Sequence, residues 1–320
     1  MYPKLALLLL STLLFSCSTD FDLTTGGEEK TVMYGLLNET DVEHYIRVEK
    51  MFVDEDIPPR ELAKEESEVY HNNITVTLTK NNNQTFTLNR IDATDRGLPR
   101  DSGLLLSDPN YVYQIFQDDV NLTSGDSVLV RVLNEETVLA QAGASMVGPV
   151  DITRPRSDLP ISILPGRSFA INWSDGDNAS FYDVLIRFFI NERKDGEENT
   201  IVLDWVAATG LDDSFYDLNG DRMYNFFAAE LEPDFTTVRR VERVDIQINS
   251  GGEALKTFLD IQNLNTGITS SQVQPDFSNV ENGLGVLSSR RISLMPNYFF
   301  SQITIDSLQS NRNTEALNFR

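Results

Sequence analysis

A chain of 320 residues with 40% hydrophobic content is too apolar for a disordered body and long enough to bury one large or two ordinary cores. Its formal net charge of −23 opposes contact with nucleic acid and with anionic lipid surfaces, so no nucleic-acid partner is expected. One cysteine and two histidines leave no intramolecular disulfide and no paired zinc-ligand spacing.

Residues 1–16 read as a lipoprotein signal peptide: Lys4 supplies the positive start, residues 5–10 and 13–15 the apolar segment, and Ser16 the small residue at the cut. Cys17 follows at once, which suits cleavage before it and acylation of its sulfur. The apolar run is well short of the roughly 20 residues a bilayer span requires. Buried acyl chains contribute about 0.8 kcal/mol per CH₂, so the lipid bilayer, reached through acylated Cys17, is the first expected partner. Residues 17–30 are rich in Ser, Thr, Asp, Gly and Glu without apolar periodicity and read as a flexible tether. Asp20, Asp22, Glu28 and Glu29 make it acidic, which resembles the signals that send some lipoproteins to the outer face. The expected location is the outer membrane, lipid-anchored and surface-exposed.

From residue 31 the pattern is β. Residues 32–37, 45–52, 74–78, 85–88, 128–133 and 138–142 are short runs of Val, Ile, Leu, Tyr and Thr between Asn, Asp and Gly clusters. In Ile74, Thr75, Val76, Thr77 and Leu78 the period is two, which sends one face to a core and the threonines to water. The tract Lys80, Asn81, Asn82, Asn83, Gln84 then tolerates positive φ and closes a hairpin. One helix is expected, over residues 58–68, where Pro58 and Pro59 open a run of helix formers. The spacing predicts an immunoglobulin-like β-sandwich over 31–150. Gly148, Pro149, Pro155, Pro160 and Pro165 set the boundary.

The second domain, 151–320, is expected to be β-rich, with strands over 169–173, 181–192, 201–207, 224–229 and 241–248. Ala254, Leu255, Phe258, Leu259, Ile261 and Leu264 recur at helical spacing, which predicts one amphipathic helix near 253–265 packed on the sheet. Trp173, Phe181, Tyr182, Phe188, Phe189, Trp205, Phe226 and Phe227 lie in these strands and read as core. Asn282, Gly283 and Gly285 read as turn backbone around Leu284 as a buried plug.

Val32, Tyr34, Gly35, Leu36 and Leu37, followed by Tyr45, Ile46, Arg47, Val48, Lys50 and Phe52, resemble the opening strands of a group of Bacteroidota outer-membrane lipoproteins built from domains of unknown function. Ser278 to Val286 is similar to a stretch near their C-terminus, which usually ends in an aromatic where Val286 stands. The resemblance covers most of the mature chain. It implies an outer-membrane lipoprotein and, because some members are encoded near TonB-dependent receptors, an accessory role in uptake with a receptor or envelope protein as partner.

Signatures of chemistry are sparse. His44 and His71 read as exposed loop or strand-edge residues, and no Gly-Xaa-Ser-Xaa-Gly elbow accompanies them. Asp217, Asn219 and Asp221 have the odd-position oxygens of a calcium loop, but Arg222 stands where such a loop needs glycine and Ala228 where it needs glutamate. Asn219-Gly220 is read instead as a type I′ hairpin turn, and Asp175-Gly176-Asp177 as another turn. Ser127 and Ser307, each after an aspartate, resemble the short O-glycosylation motif of exported Bacteroidota proteins. No cofactor is expected. The function expected is non-catalytic binding or accessory work in an outer-membrane complex; the alternatives are a glycan-binding module or adhesin with exposed aromatics in a groove of the second domain, and a hydrolase with a carboxylate pair among the 49 acidic residues.

Overall fold

The computed structural model describes residues 30–51, 57–103, 106–265 and 277–320. Cys17, the leader and all of the tether but Lys30 lie outside them. The chain is mainly β, with 49% in strands and 18% in helices. No helix among the described residues is long and apolar enough to cross a membrane.

Fifteen strands follow in order: β1 Lys30–Leu37, β2 Glu43–Met51, β3 Ile74–Lys80, β4 Gln84–Thr87, β5 Asn89–Asp92, β6 Tyr111–Phe116, β7 Ser127–Asn134, β8 Thr137–Ser145, β9 Ile152–Arg154, β10 Ser168–Trp173, β11 Phe181–Lys194, β12 Glu197–Leu211, β13 Phe215–Asn219, β14 Val238–Gly251 and β15 Gly283–Tyr298. The helices are α1 Pro59–Leu62, α2 Glu66–Val69, α3 Gln117–Val120, α4 Asp221–Glu230, α5 Glu253–Asn265 and α6 Gln302–Ser310.

One eight-stranded sheet, ordered β12-β11-β14-β15-β1-β2-β6-β5, runs through both halves of the molecule. Its β15–β1 half packs against the four-stranded sheet β4-β3-β7-β8. Met33, Leu37, Ile46, Tyr113 and Ile115 meet Val76, Leu78, Val130 and Val132 in an aliphatic core between them. This is a β-sandwich. The other half is covered by the three-stranded sheet β13-β10-β9 with α4 and α6. There Val184, Ile186, Phe188, Val244 and Ile246 meet Ile171, Trp173, Tyr224, Phe227 and Leu308.

Strand β15 joins the halves. Gly283 to Ser289 run parallel to Thr31 to Leu37 of β1, and Arg290 to Tyr298 run antiparallel to β14. At Gly285, φ is +115° and an added Cβ would lie 2.0 Å from the Met33 carbonyl oxygen, so only glycine lets the two strands approach. Val280 and Leu287 join the first core, which is therefore not contained within residues 31–150. Serines on β15 hold the connection between halves: Ser289 Oγ donates to the Ser145 carbonyl (2.6 Å) and accepts from Val147 N (3.0 Å), and Ser293 Oγ accepts from Val150 N (3.0 Å).

Several local expectations need correction. Residues 224–229 are not a strand: Met223, Tyr224, Phe227 and Leu231 are the buried positions, a helical repeat that places them on one side of α4. The single helix expected over 58–68 is broken into α1 and α2. Asn219-Gly220 is no hairpin, because Gly220 has φ −57° and ψ −35° and leads β13 into α4. Leu284 is only half-buried, while Val280 and Leu287 fill the core at that place. Helix α5 forms where the periodicity placed it, lying along β15 with Leu255 and Phe258 half-buried.

Candidate functional site

Alternation along β1 and β2 sends Met33, Leu37, Ile46 and Val48 into the first core. The opposite face then carries Tyr34, Leu36, Tyr45, Arg47 and Glu49. An outer face of this kind is ordinarily polar, yet Tyr34 and Leu36 are 44% and 38% exposed. Tyr34 lies opposite Arg47 on one side and Val286 on the other. Val112 of β6 extends the surface, Leu98 and Pro99 wall one side, and Leu255 and Phe258 of α5 wall the other. The result is a groove of about 490 Å³, within the range of small-ligand sites. Hydrogen bonds from Leu255 N to Ser288 Oγ (3.2 Å) and from Gly252 N to the Ser289 carbonyl (3.0 Å) hold α5 over β15, so it borders the groove without filling it.

The two ends of the groove differ. At one, Arg47 and Arg100 both pair with Glu49, at 3.1 and 2.8 Å. Asn110, buried beside them, donates from its backbone to Asp92 (3.2 Å) and from Nδ2 to the Leu98 carbonyl (2.9 Å). The Leu98 carbonyl can only accept, so it fixes the orientation of the amide and turns Oδ1 away. That oxygen is buried without a partner among the described residues. Hydrogen bonding from the Thr94 backbone holds the Asp92 carboxyl below its usual range, against its partial burial.

At the other end, the Tyr45 hydroxyl donates to Glu43, whose carboxylate also accepts from Gln114 Nε2 (2.5 Å) and faces Arg96 at 3.8 Å. The Tyr45 bond is the main reason the Glu43 carboxyl titrates low. Burial, then that same bond, pushes Tyr45 up to about 12. At neutral pH this phenol stays protonated and serves as a wall, not as a base.

A second cleft of about 740 Å³ lies across α5, among Ser127, Ser145, Ser180, Gly252, Glu253 and Asn279. Neither cleft brings two lining carboxylates together among the described residues. No group of three His, Cys, Asp or Glu side chains there is placed to hold a metal.

The residues singled out from sequence are scattered. Asp217 and Asn219 are exposed at the end of β13, where Asn219 Oδ1 accepts from Asp221 N (3.0 Å) and Asp221 Oδ1 accepts from Gly166 N (3.1 Å). These bonds organise the junction into α4. Ser127 is exposed at the start of β7, while Ser307 sits in α6 with Oγ donating to the Ile303 carbonyl (2.7 Å). The histidines are buried rather than exposed. His44 points into the sandwich, its Nε2 2.7 Å from Gln117 Oε1, because it occupies an inward position of β2; His71 Nε2 lies 3.1 Å from Thr31 Oγ1.

Trp173, Phe181, Tyr182, Phe188, Trp205 and Phe227 are buried, and Phe226 packs against them. Phe189 lies on the outer face beneath the Arg243 guanidinium, 3.6 Å from its ring centre. The groove draws Tyr34 and Tyr45 from the first half of the chain and Leu255, Phe258 and Val286 from residues 151–320, so it lies where the two meet on the eight-stranded sheet. Leu98, Asn110 and Val112 carried no expectation of a site. The uninterrupted run Val32 to Leu37 was the available signal, since a strand apolar at every position has two faces to cover.

No protein-family model matches the chain, and no curated protein matches it. Among solved structures, the chain is similar to one titled "Cytokine receptor complex - Crystal form 1A", at 8% identity and a TM-score of 0.24, over 84% of this chain and 97% of that one. A likeness so slight carries no argument.

Proposed function

We propose that the protein is a lipid-anchored outer-membrane lipoprotein acting as a non-catalytic binding or accessory subunit of an envelope complex, with TonB-dependent uptake as its setting. The observation that carries this reading is the groove on the outer face of β1, β2 and β6. Its walls are largely apolar, Tyr45 is held protonated, and Arg47 is its one charged lining side chain among the described residues. Such a surface is suited to holding a partner, not to transforming it.

The address comes from the sequence: a short apolar leader, a small residue, then Cys17 and an acidic tether. Acylation there would hold the folded body away from the headgroups with its groove accessible. Crosslinking in intact membranes followed by solubilisation and pull-down is expected to recover a stable receptor or envelope protein. Recovery of the protein alone overturns the accessory role. In the same cells, Cys17→Ala is expected to move the protein out of the membrane fraction; unchanged membrane retention overturns the anchor.

A further inference from the structure

We infer that the outer edge of β12 pairs antiparallel with β12 of a second copy of this chain, which joins the two eight-stranded sheets into one. This goes beyond the groove-centred reading and is independent of it. The three sheets leave six edges, and five of them are short or already paired. β4, β5, β9 and β13 are only three to five residues long, and β5 carries Arg90 and Asp92. β8 is longer, but Gln141 exchanges backbone hydrogen bonds of 3.1 and 2.8 Å with Glu281. β12 differs from all of these. It runs for 15 residues without proline or lysine, and it pairs with β11 in unbroken register from Glu197 to Val206, with no bulge to turn its edge away. Along that stretch the edge remote from β11 has no backbone partner among the described residues. It is closed only beyond, where the Tyr216 hydroxyl donates to the Ala207 carbonyl (3.0 Å). A row of unpaired N–H and C=O groups this long is a template for another strand.

Charge and register favour a second copy as the occupant. β11, β12 and β14 together carry six basic and seven acidic residues, so little of the net charge of −23 opposes contact at this end of the sheet. Antiparallel pairing about a two-fold axis at Val202 sets that side chain, 49% exposed, against its own copy. The same alignment sets Ile201 against Leu203 and Thr200 against Asp204, and from Glu198 to Val206 no two acidic residues are directly opposite. An axis at Ile201 would oppose Glu198 to Asp204, and one at Asp204 would oppose that carboxylate to itself.

Sedimentation velocity of the full-length protein in detergent, from about 1 to 100 µM, is expected to show a monomer–dimer equilibrium. Val202→Lys places like charges opposite each other and is expected to weaken it at least about tenfold, with the circular dichroism unchanged because the side chain stands on the surface. Mild oxidation, read on non-reducing gels, tests the alignment. Val202→Cys is expected to give a covalent dimer. Val206→Cys, on the same face and 54% exposed, is expected to give no more than the unmodified protein, which shares Cys17, because its counterpart lies roughly 27 Å along the strand. A protein that stays monomeric throughout that range, association untouched by Val202→Lys, or equal crosslinking of the two cysteine variants overturns the inference. A monomer whose β12 edge captures a strand of another protein overturns it too, and none of these results bears on the groove.

Discussion

On the outer face of the eight-stranded sheet, β11, β12 and β14 set Arg187 against Asp204 at 2.5 Å and Arg243 against Asp245 at 3.1 Å, whereas β1 and β2 present Tyr34, Leu36 and Tyr45 around a groove. Val202 and Val206 are exposed on the first of these faces too, at 49% and 54%, but Asp204 stands between them. Isolated apolar residues of this kind are ordinary on a protein surface, while a contiguous concave patch is not. The pleat is the same in both halves and the inner faces are equally well buried. The choice of residue at alternate outward positions therefore decides which half presents paired charges to water and which presents an apolar groove.

Breaking one half while sparing the other gives the largest effect. Phe188 packs against Trp205, Phe226, Phe227 and Phe300. Phe188→Ala is expected to cost about 3–5 kcal/mol in urea unfolding and to leave the groove's ligand affinity unchanged wherever the protein remains folded. Next comes the seam. Gly285→Val places a Cβ against the Met33 carbonyl at positive φ, and is expected to cost about 3 kcal/mol and to split unfolding into two steps, one for each half.

A smaller effect belongs to the first half alone. Burial tends to raise the Asp126 carboxyl, but hydrogen bonds from Asn81, Thr123 and Lys80 together hold it down to about 2. Its folded value thus lies below its unfolded one, near 3.9. The stabilisation is complete above about pH 4 and is lost as the pH falls toward about 2. Asp126→Asn is expected to cost about 1–2 kcal/mol at pH 7 and to flatten the acid limb of the stability curve over that window. Smallest in stability is Tyr34→Lys, expected within about 0.5 kcal/mol of the unmodified protein because the side chain stands on the surface. Its effect should appear in binding instead, and a loss of stability above about 2 kcal/mol would make Tyr34 part of the core rather than of the groove.

Much of this organisation is written in residue patterns. Alternation located β3, β7 and β10, a period of 3.6 located α5, and the aromatic positions of β11 and β12 marked the second core. The segment Tyr224 to Ala229 misled because aromatics favour strands by composition, while the spacing of Met223, Tyr224, Phe227 and Leu231 is helical. Strand β15 carried no expectation, since Asn282, Gly283 and Gly285 read as turn backbone and the polar run Ser288 to Arg291 has no apolar alternation; Ser289 joins the two halves through Val147 and Ser288 holds α5 through Leu255. The site was the least legible part. Asn110 Oδ1 is left without a partner among the described residues because its Nδ2 donates to the Leu98 carbonyl, twelve positions earlier. No local pattern in sequence encodes that contact.

The most direct test of a groove-centred account is site-specific photocrosslinking in intact membranes, with the photoreactive residue placed at Leu36 or Leu98 in one half and at Val202 or Leu294 in the other. Leu36 and Leu98 are expected to yield one and the same envelope protein, and Val202 and Leu294 no protein other than this chain. Crosslinks to another protein from Val202 and Leu294 with none from the groove positions would contradict the account.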